Sequence, residues 1–104
     1  MITAAQMRAA RALLGIDQQT LADLAGVSLP TIQRMEASEG NVRGVIDTLT
    51  KVVAAFERAG IELIGEGAPS IGEGRGVRFR SARGGRIART SAAAGRKARP
   101  RGAR

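Results

Sequence analysis

The sequence predicts a mainly α-helical fold of four to five helices, followed by a small two-stranded β-hairpin and a disordered basic tail. Three observations predict this order. Apolar residues recur at helical spacing through much of residues 4–59. Two later segments, 61–64 and 76–80, have strand-like patterns. Residues 81–104 are rich in Arg, Ala and Gly and contain one large apolar residue, Ile87, so they cannot bury enough surface to offset the entropy of folding.

The composition excludes several classes of protein. The chain has 104 residues, which is enough for one small domain. It contains no cysteine and no histidine, so disulfides, zinc sites and the commonest general base are absent. No nucleophile–base pair and no phosphate-binding loop is visible, and we therefore expect neither an enzyme nor a bound cofactor or metal. The absence of cysteine is compatible with a reducing cytoplasm, and we expect a cytoplasmic protein. No apolar run approaches the roughly 18 residues of a membrane span.

The first predicted helix covers residues 4–14. Thr3 and Gln6 form a capping-box pattern, in which each side chain satisfies a free backbone N–H at the helix start. Gly15 ends the helix. Its apolar face consists of Met7, Ala10 and Leu14.

Two short helices follow over residues 18–25 and 29–37. Asp17 and Ser28 precede them, and their side-chain oxygens can accept the free N–H groups of the first turns. Gly26 lies between the helices, where a helix end requires a residue that tolerates a positive φ. The pattern therefore predicts a helix, a tight turn and a second helix.

This stretch resembles the helix-turn-helix of the Xre family of phage-repressor-like DNA-binding transcriptional regulators. The resemblance rests on the pattern Leu21-Ala22-x-x-Ala25-Gly26-Val27-Ser28-x-x-Thr31-Ile32-x-x-Met35-Glu36. Ala22 and Gly26 are its specific members, because a bulky side chain at 22 would separate the helices and a Cβ at 26 would strain the turn. The alternative is an αα-hairpin inside some other helical protein.

The resemblance implies a DNA-binding domain over residues 1–60. It further implies a homodimer that binds double-stranded DNA, regulates transcription as a repressor and is associated with the nucleoid. In the family, the second helix of the motif enters the major groove with its N-terminal part facing base edges. Here that helix is 29–37.

The resemblance also indicates which side chains contact DNA. Arg34 is expected to form two parallel hydrogen bonds with a guanine, the commonest specific contact. Gln18 and Arg43 are expected to contact phosphates. The side chains expected to project toward base edges are Ser28, Leu29, Thr31, Gln33 and Arg34. For each of them, the alternative is an ordinary solvated helix face.

An ion pair between Arg11 and Glu36 is a further implication of the resemblance, because an arginine at this place in the family often pairs with the glutamate that closes the recognition helix. Such a pair would hold the first helix against the third. The alternative is two solvated surface charges, which contribute little. The structural positions expected in the motif are Arg11, Ala22, Gly26, Ile32 and Glu36.

The chain continues with a predicted helix over residues 45–59 and a hairpin over residues 61–80. Two strands alone are marginal in water, so the hairpin needs a partner, either the preceding helix or the same hairpin of a second subunit. We therefore expect residues 61–80 to be a dimerisation element. The apolar stripe of the helix consists of Val45, Leu49, Val52, Val53 and Phe56.

Positive charge is concentrated at the end of the sequence. Residues 1–72 contain six basic and eight acidic side chains, a net charge of −2, whereas residues 73–104 contain eleven basic and one acidic, a net charge of +10. Because affinity for a polyanion comes largely from neutralised phosphates, we expect the tail over residues 81–104 to supply that affinity. The alternative is a solvated tail without a partner. The expected phosphate contacts are Arg83, Arg86, Arg89, Arg96, Lys97, Arg99 and Arg101.

Two other functions stay open at this point. The first is the antitoxin of a toxin–antitoxin pair, which binds its own operator and also sequesters a toxin protein. The basic tail argues mildly against it, since toxin-binding segments usually offer apolar anchors. The second is a non-specific nucleoid or RNA-binding protein that uses the Arg-rich tail and discriminates little between sequences.

Overall fold

A computed structural model describes residues 2–82 of the chain, and these residues form four helices. The helices are α1 (Ala4–Leu14), α2 (Gln18–Ala25), α3 (Leu29–Glu36) and α4 (Ile46–Arg58). The prediction of a mainly helical fold is confirmed. Within the described range, no helix is long and apolar enough to cross a membrane. The phosphate contacts predicted in the tail lie outside the described residues; they are Arg83, Arg86, Arg89, Arg96, Lys97, Arg99 and Arg101.

Side chains next to the helix ends explain where the helices begin. The Thr3 Oγ1 accepts the Gln6 N–H at 3.0 Å, and the Gln6 Oε1 accepts the Thr3 N–H at 2.9 Å. Asp17 accepts the Thr20 N–H at 2.8 Å, and this backbone hydrogen bond lowers the pKa of the Asp17 carboxyl. Val45, in contrast, precedes α4 and caps none of its free N–H groups.

One apolar core holds the helices together, and it includes part of the loop between α3 and α4. That loop is tied to the start of the chain, because Ala4 N–H donates to the Gly40 carbonyl and Val42 N–H donates to the Ile2 carbonyl, each at 3.0 Å. The pairing places Val42 in the core. The largest fully buried side chains are Phe56, Met7, Leu21, Ile32, Val42 and Val52.

The start of α4 differs from the prediction. Val45 was expected in the apolar stripe, but it is 69% exposed. It stands just before the helix in an extended conformation, with φ −70° and ψ 147°, so its side chain does not follow the helical face. Ile46 is 80% exposed as well, and the buried stripe of α4 begins at Leu49, which packs against the core.

The hairpin predicted over residues 61–80 is not confirmed. Among residues 2–82, the only β-type pairing is the isolated bridge between Thr3 and Asn41. The first predicted strand lies against the helices instead, with Ile61 and Leu63 packed on the core. An alternating pattern produces a strand only where a ladder partner is available, and two strands alone are marginal.

The Glu62 carboxylate binds two backbone N–H groups in the segment that precedes the second predicted strand. Glu62 accepts the N–H of Ile71 at 2.8 Å, the N–H of Gly72 at 2.9 Å and the hydroxyl of Ser70 at 3.1 Å. The two backbone hydrogen bonds lower the pKa of the Glu62 carboxyl. Glycine fits at position 72 because a Cβ there would lie 2.8 Å from a Glu62 oxygen. The chain therefore curls around Glu62, and residues 71–80 remain exposed.

Candidate nucleic-acid interface

α3 has one face toward the core and one toward solvent. Its inner side chains, Ile32 and Met35, are buried. On the outer face, Leu29 and Thr31 are half-exposed, and Ser28, Gln33 and Arg34 are exposed. The one acidic residue of α3, Glu36, is buried. The exposed face of this helix therefore carries no negative charge.

The turn between α2 and α3 allows the two helices to lie close together. Ala22 and Ile32 have no solvent-accessible surface, so a larger side chain at 22 would have to displace α3. Gly26 has a φ of +71° and donates its N–H to the carbonyl of Ala22. A residue with a Cβ would adopt this conformation at a cost of about 1–2 kcal/mol. Local sequence thus fixes how α3 is presented.

The C-terminal end of α3 is held by a cluster of four residues, Arg8, Arg11, Gln18 and Glu36, which we call the Glu36 clamp. Arg11 of α1 donates from Nε to one Glu36 carboxylate oxygen at 2.6 Å and from Nη2 to the other at 2.8 Å. Gln18 of α2 donates to the same carboxylate at 3.1 Å. Arg8 donates to the Glu36 backbone carbonyl at 2.6 Å. Side chains from two helices therefore converge on the end of the third.

The Glu36 carboxylate is charged although it is buried. Burial alone would raise the pKa of Glu36, because it penalises the charged form. Hydrogen bonds from Arg11 and Gln18 outweigh that effect, and the pKa of Glu36 lies below its usual value of 4.5. The hydrogen bond to Glu36 likewise raises the pKa of Arg11. The paired charges hold α3 in place at neutral pH.

Three polar side chains are connected along the outer face of α3. The Ser28 hydroxyl accepts the Thr31 N–H at 3.2 Å and lies 2.8 Å from the Thr31 hydroxyl. Arg34 donates from Nη2 to the Thr31 hydroxyl at 3.5 Å. This chain of contacts forms because residues three apart are neighbours on a helix surface.

An open groove lies between α3 and the start of α4. Its lining includes Thr31, Arg34, Arg43, Val45 and Thr48, and no acidic side chain. The N-terminus of α4 carries the positive end of the helix dipole and has no side-chain cap. Two guanidinium groups and a helix N-terminus therefore lie on the same side of the molecule. The exposed Asp47 carboxylate in the first turn of α4 offsets part of this positive charge.

Residues 7–45 match the family model HTH_3, described as a helix-turn-helix. The matched range begins within α1 and includes all of α2 and α3. The chain carries an Xre-like helix-turn-helix domain. No curated protein and no solved structure matches the chain. The helix-turn-helix domain is of a DNA-binding regulatory type and not a catalytic one, which supports a DNA-binding regulator.

The helix-turn-helix domain brings several of the expected DNA contacts together. Thr31 contacts both Ser28 and Arg34, and Arg34 shares the groove with Arg43. Gln18 is placed differently from the expectation. Its side-chain amide was expected to contact a phosphate, but it donates to Glu36 and belongs to the Glu36 clamp.

Two arginines contribute to the architecture of the helix-turn-helix domain without having been singled out by the sequence pattern. Arg8 lies three residues before Arg11, on the same side of α1, and this spacing could have indicated its role. Arg58 donates to the Leu24 carbonyl at 3.0 Å and so ties α4 to the end of α2. No local signal predicts that contact, because it joins residues 34 positions apart.

Proposed function

We propose that the protein is a sequence-specific repressor that reads the major groove of double-stranded DNA with α3. The observation that carries this proposal is the outer face of α3, which faces solvent, has no acidic side chain and carries the exposed Arg34. Arg34 is the side chain suited to guanine, because its fork of N–H donors matches the O6 and N7 acceptors. Gln33 is suited to adenine in the same groove. Because the Glu36 clamp holds the C-terminal end of α3, where Gln33 and Arg34 lie, these side chains project from a fixed helix.

Contacts to the phosphate backbone would fix the position of the domain on the duplex. The groove between α3 and α4 supports this role for Arg43, since it combines two guanidinium groups with an uncapped helix N-terminus. Occupancy of a promoter is sufficient to block transcription. We therefore expect transcription of a reporter gene to fall when the protein binds a site that overlaps its promoter.

Selection of bound sequences from random double-stranded DNA tests the proposed function. We expect an enriched motif that contains at least one guanine, because Arg34 has the matching donors. The same selection with Arg34→Ala should lose enrichment at one position of the motif and keep the others. If the wild-type protein enriches no motif, it is a non-specific nucleoid or RNA-binding protein and the proposal is wrong.

We propose that the basic tail supplies most of the non-specific affinity for DNA. The support is the distribution of charge, since residues 1–72 carry a net charge of −2 and residues 73–104 a net charge of +10. A domain that is slightly acidic overall gains little from the phosphate backbone. The tail then contributes affinity while α3 contributes sequence recognition.

We also propose a homodimer formed through residues 71–80. Exposed large apolar side chains support it, since Ile71, Val77 and Phe79 are 84%, 86% and 63% exposed. Ile61 and Leu63, the other part of the expected interface, already pack on the core of their own chain. A dimer also suits the function, because one recognition helix reads only half of a two-fold site.

Residues 76–80 can pair with themselves in an antiparallel arrangement centred on Arg78. That register places Val77 opposite Phe79 of the second copy, which is a favourable aromatic and β-branched pair. It also places Arg80 opposite Gly76. Arg78 would face itself, but its guanidinium donates to the Ala68 carbonyl of its own chain at 2.5 Å, which draws the charge away from the pairing line.

Light scattering coupled to size-exclusion chromatography tests the dimer. The wild-type protein should have twice the chain mass of 10.8 kDa. Replacement of Val77 and Phe79 by Ser should give a monomer, because it removes the apolar cross-strand pairs. Ile46→Ser is the matched control, since Ile46 is 80% exposed on α4, and it should remain dimeric. A wild-type monomer that binds a single half-site would refute the dimer.

The exposed apolar segment also favours a second candidate function, the antitoxin of a toxin–antitoxin pair. Ile71, Val77 and Phe79 could anchor a toxin protein in place of a second copy. Co-expression with the product of a neighbouring small toxin-like reading frame would decide between the two. A stable complex that forms through residues 71–80 supports the antitoxin function. If no complex forms, the antitoxin function is excluded and the repressor function stands.

A further inference from the structure

We infer that Thr31 is a positioning residue, and that its hydroxyl orients Arg34 for base recognition. The inference rests on the proposed function and assigns a part of its specificity. Thr31 was expected to project toward the base edges and contact DNA itself. The contacts on the outer face of α3 give its hydroxyl a different task.

The Thr31 hydroxyl is held in place from the start of the helix. The Ser28 hydroxyl caps α3 by accepting the Thr31 N–H at 3.2 Å, and it lies 2.8 Å from the Thr31 hydroxyl. Threonine in a helix usually divides its population between two side-chain rotamers. The contact with Ser28 selects one of them, so the Thr31 oxygen occupies a defined place on the helix surface.

Arg34 can use that oxygen only as an acceptor, because a guanidinium group has donors and no acceptors. The contact is made by Nη2 at 3.5 Å. Within residues 2–82, it is the one side-chain hydrogen bond of Arg34, and Nη1 and Nε have no protein acceptor there. A bidentate contact with guanine needs two N–H groups. Thr31 can therefore restrain the guanidinium while leaving donors free for the base.

Restraint matters because a long exposed side chain loses rotamer freedom when it binds. That loss weakens an interface by about two- to twelvefold for each side chain that must be immobilised. A guanidinium that is already oriented in the free protein loses less. The hydroxyl thus raises affinity only for sites where Arg34 has a guanine to bind, and so it raises specificity.

Two substitutions separate the hydroxyl from the methyl group. Thr31→Val keeps the β-branched shape and the methyl group but removes the hydroxyl. Thr31→Ser keeps the hydroxyl and removes the methyl group. Affinities of the wild type, both variants and Arg34→Ala are measured for the selected DNA site and for the same site with the Arg34-dependent guanine replaced. The ratio of the two affinities is the discrimination at that base pair.

We expect Thr31→Val to reduce this discrimination about two- to twelvefold, and Thr31→Ser to retain it. Affinity for the site without the guanine should be the same in the wild type, Thr31→Val and Thr31→Ser. A substitution that distorted α3 would instead lower the affinity for both sites. Thermal melting by circular dichroism shows whether the variants are folded. Thr31→Ala, which removes both groups, should match Thr31→Val and replaces it if that variant does not fold.

Two results would overturn the inference and leave the proposed function in place. One is wild-type discrimination in Thr31→Val. The other is equal loss in Thr31→Ser and Thr31→Val, which would assign the effect to any change of shape at position 31 and not to the hydroxyl. A wild-type protein with no base preference would instead end the proposed function itself. The failure of the inference and the failure of the function are therefore distinguishable.

Discussion

Arg11→Ala should lower the free energy of unfolding by about 3 kcal/mol, the low end of the cost of breaking a buried ion pair. The substitution removes the main partner of the Glu36 carboxylate, and Glu36 is only 5% exposed in the intact fold. It removes both short hydrogen bonds from the guanidinium and a further bond from Arg11 to the Ile16 carbonyl at 3.2 Å. Gln18 remains and keeps the loss from being larger. The loss is a large fraction of the stability of a small domain.

Unfolding in denaturant, followed by circular dichroism, measures this loss, since the chain has no Trp or Tyr for fluorescence. Lys51→Ala is the matched control. It removes the 3.4 Å pair with Asp47, whose side chain is 79% exposed, and it should change stability by no more than about 0.5 kcal/mol. Equal effects in the two variants would show that the Glu36 clamp does not hold the fold together.

The stability of the protein in acid also depends on the Glu36 clamp. Because the pKa of Glu36 is lower in the folded state than its usual value of 4.5, its charged form stabilises the fold above pH 4.5. That contribution is lost as the pH falls through the lowered pKa. Asp17 and Glu62, which are exposed, also have lowered pKa values. Glu36→Gln should therefore make the free energy of unfolding depend less on pH below pH 4.5. Some dependence should remain, because Asp17 and Glu62 still titrate.

Deletion of residues 81–104 should sharply weaken the salt dependence of DNA binding. The remaining chain has nine basic and nine acidic side chains, so it has no net charge to attract a polyanion. If the seven tail side chains named above each neutralise one phosphate, the slope of log Kobs against log salt falls in magnitude by about 6. The intact protein should lose at least about 4,000-fold in affinity between 50 and 200 mM salt.

A full-length variant separates charge from chain length. In it, every Arg and Lys between residues 81 and 104 is replaced by Gln. We expect this variant to behave like the deletion, because the contribution comes from neutralised phosphates and not from the chain itself. A slope that is unchanged by the deletion would mean that the tail does not contact DNA.

Sequence alone predicts the part of the fold that local contacts determine. α1 and α2 have the predicted bounds, because Thr3, Asp17 and the glycines after each helix act within a few residues. α3 ends one residue earlier than predicted, and α4 is one residue shorter at each end, as is usual at helix termini. The pairing of Arg11 with Glu36 was expected through the family resemblance and not from spacing.

The remaining features depend on contacts between distant residues. An alternating pattern at residues 76–80 does not show what the segment pairs with, and Glu62 captures the neighbouring N–H groups. The Gln6 side chain binds the Ile64 carbonyl at 3.0 Å across 58 residues. The position of Gln18 in the motif predicts a contact with a phosphate. Only the fold shows that its side-chain amide donates to the Glu36 carboxylate instead. Such choices are made by packing, which no short stretch of sequence encodes.

The central claim is that Arg34 on α3 reads a base, and a double-mutant cycle between protein and DNA tests it most directly. Four affinities are measured. The wild type and Arg34→Ala are each tested against the selected site and against the same site without its guanine. We predict that Arg34→Ala weakens binding to the selected site by about 1–3 kcal/mol and has little effect once the guanine is gone. If the two losses instead add to within about 0.5 kcal/mol, Arg34 does not read that base, and the recognition assigned to α3 is contradicted.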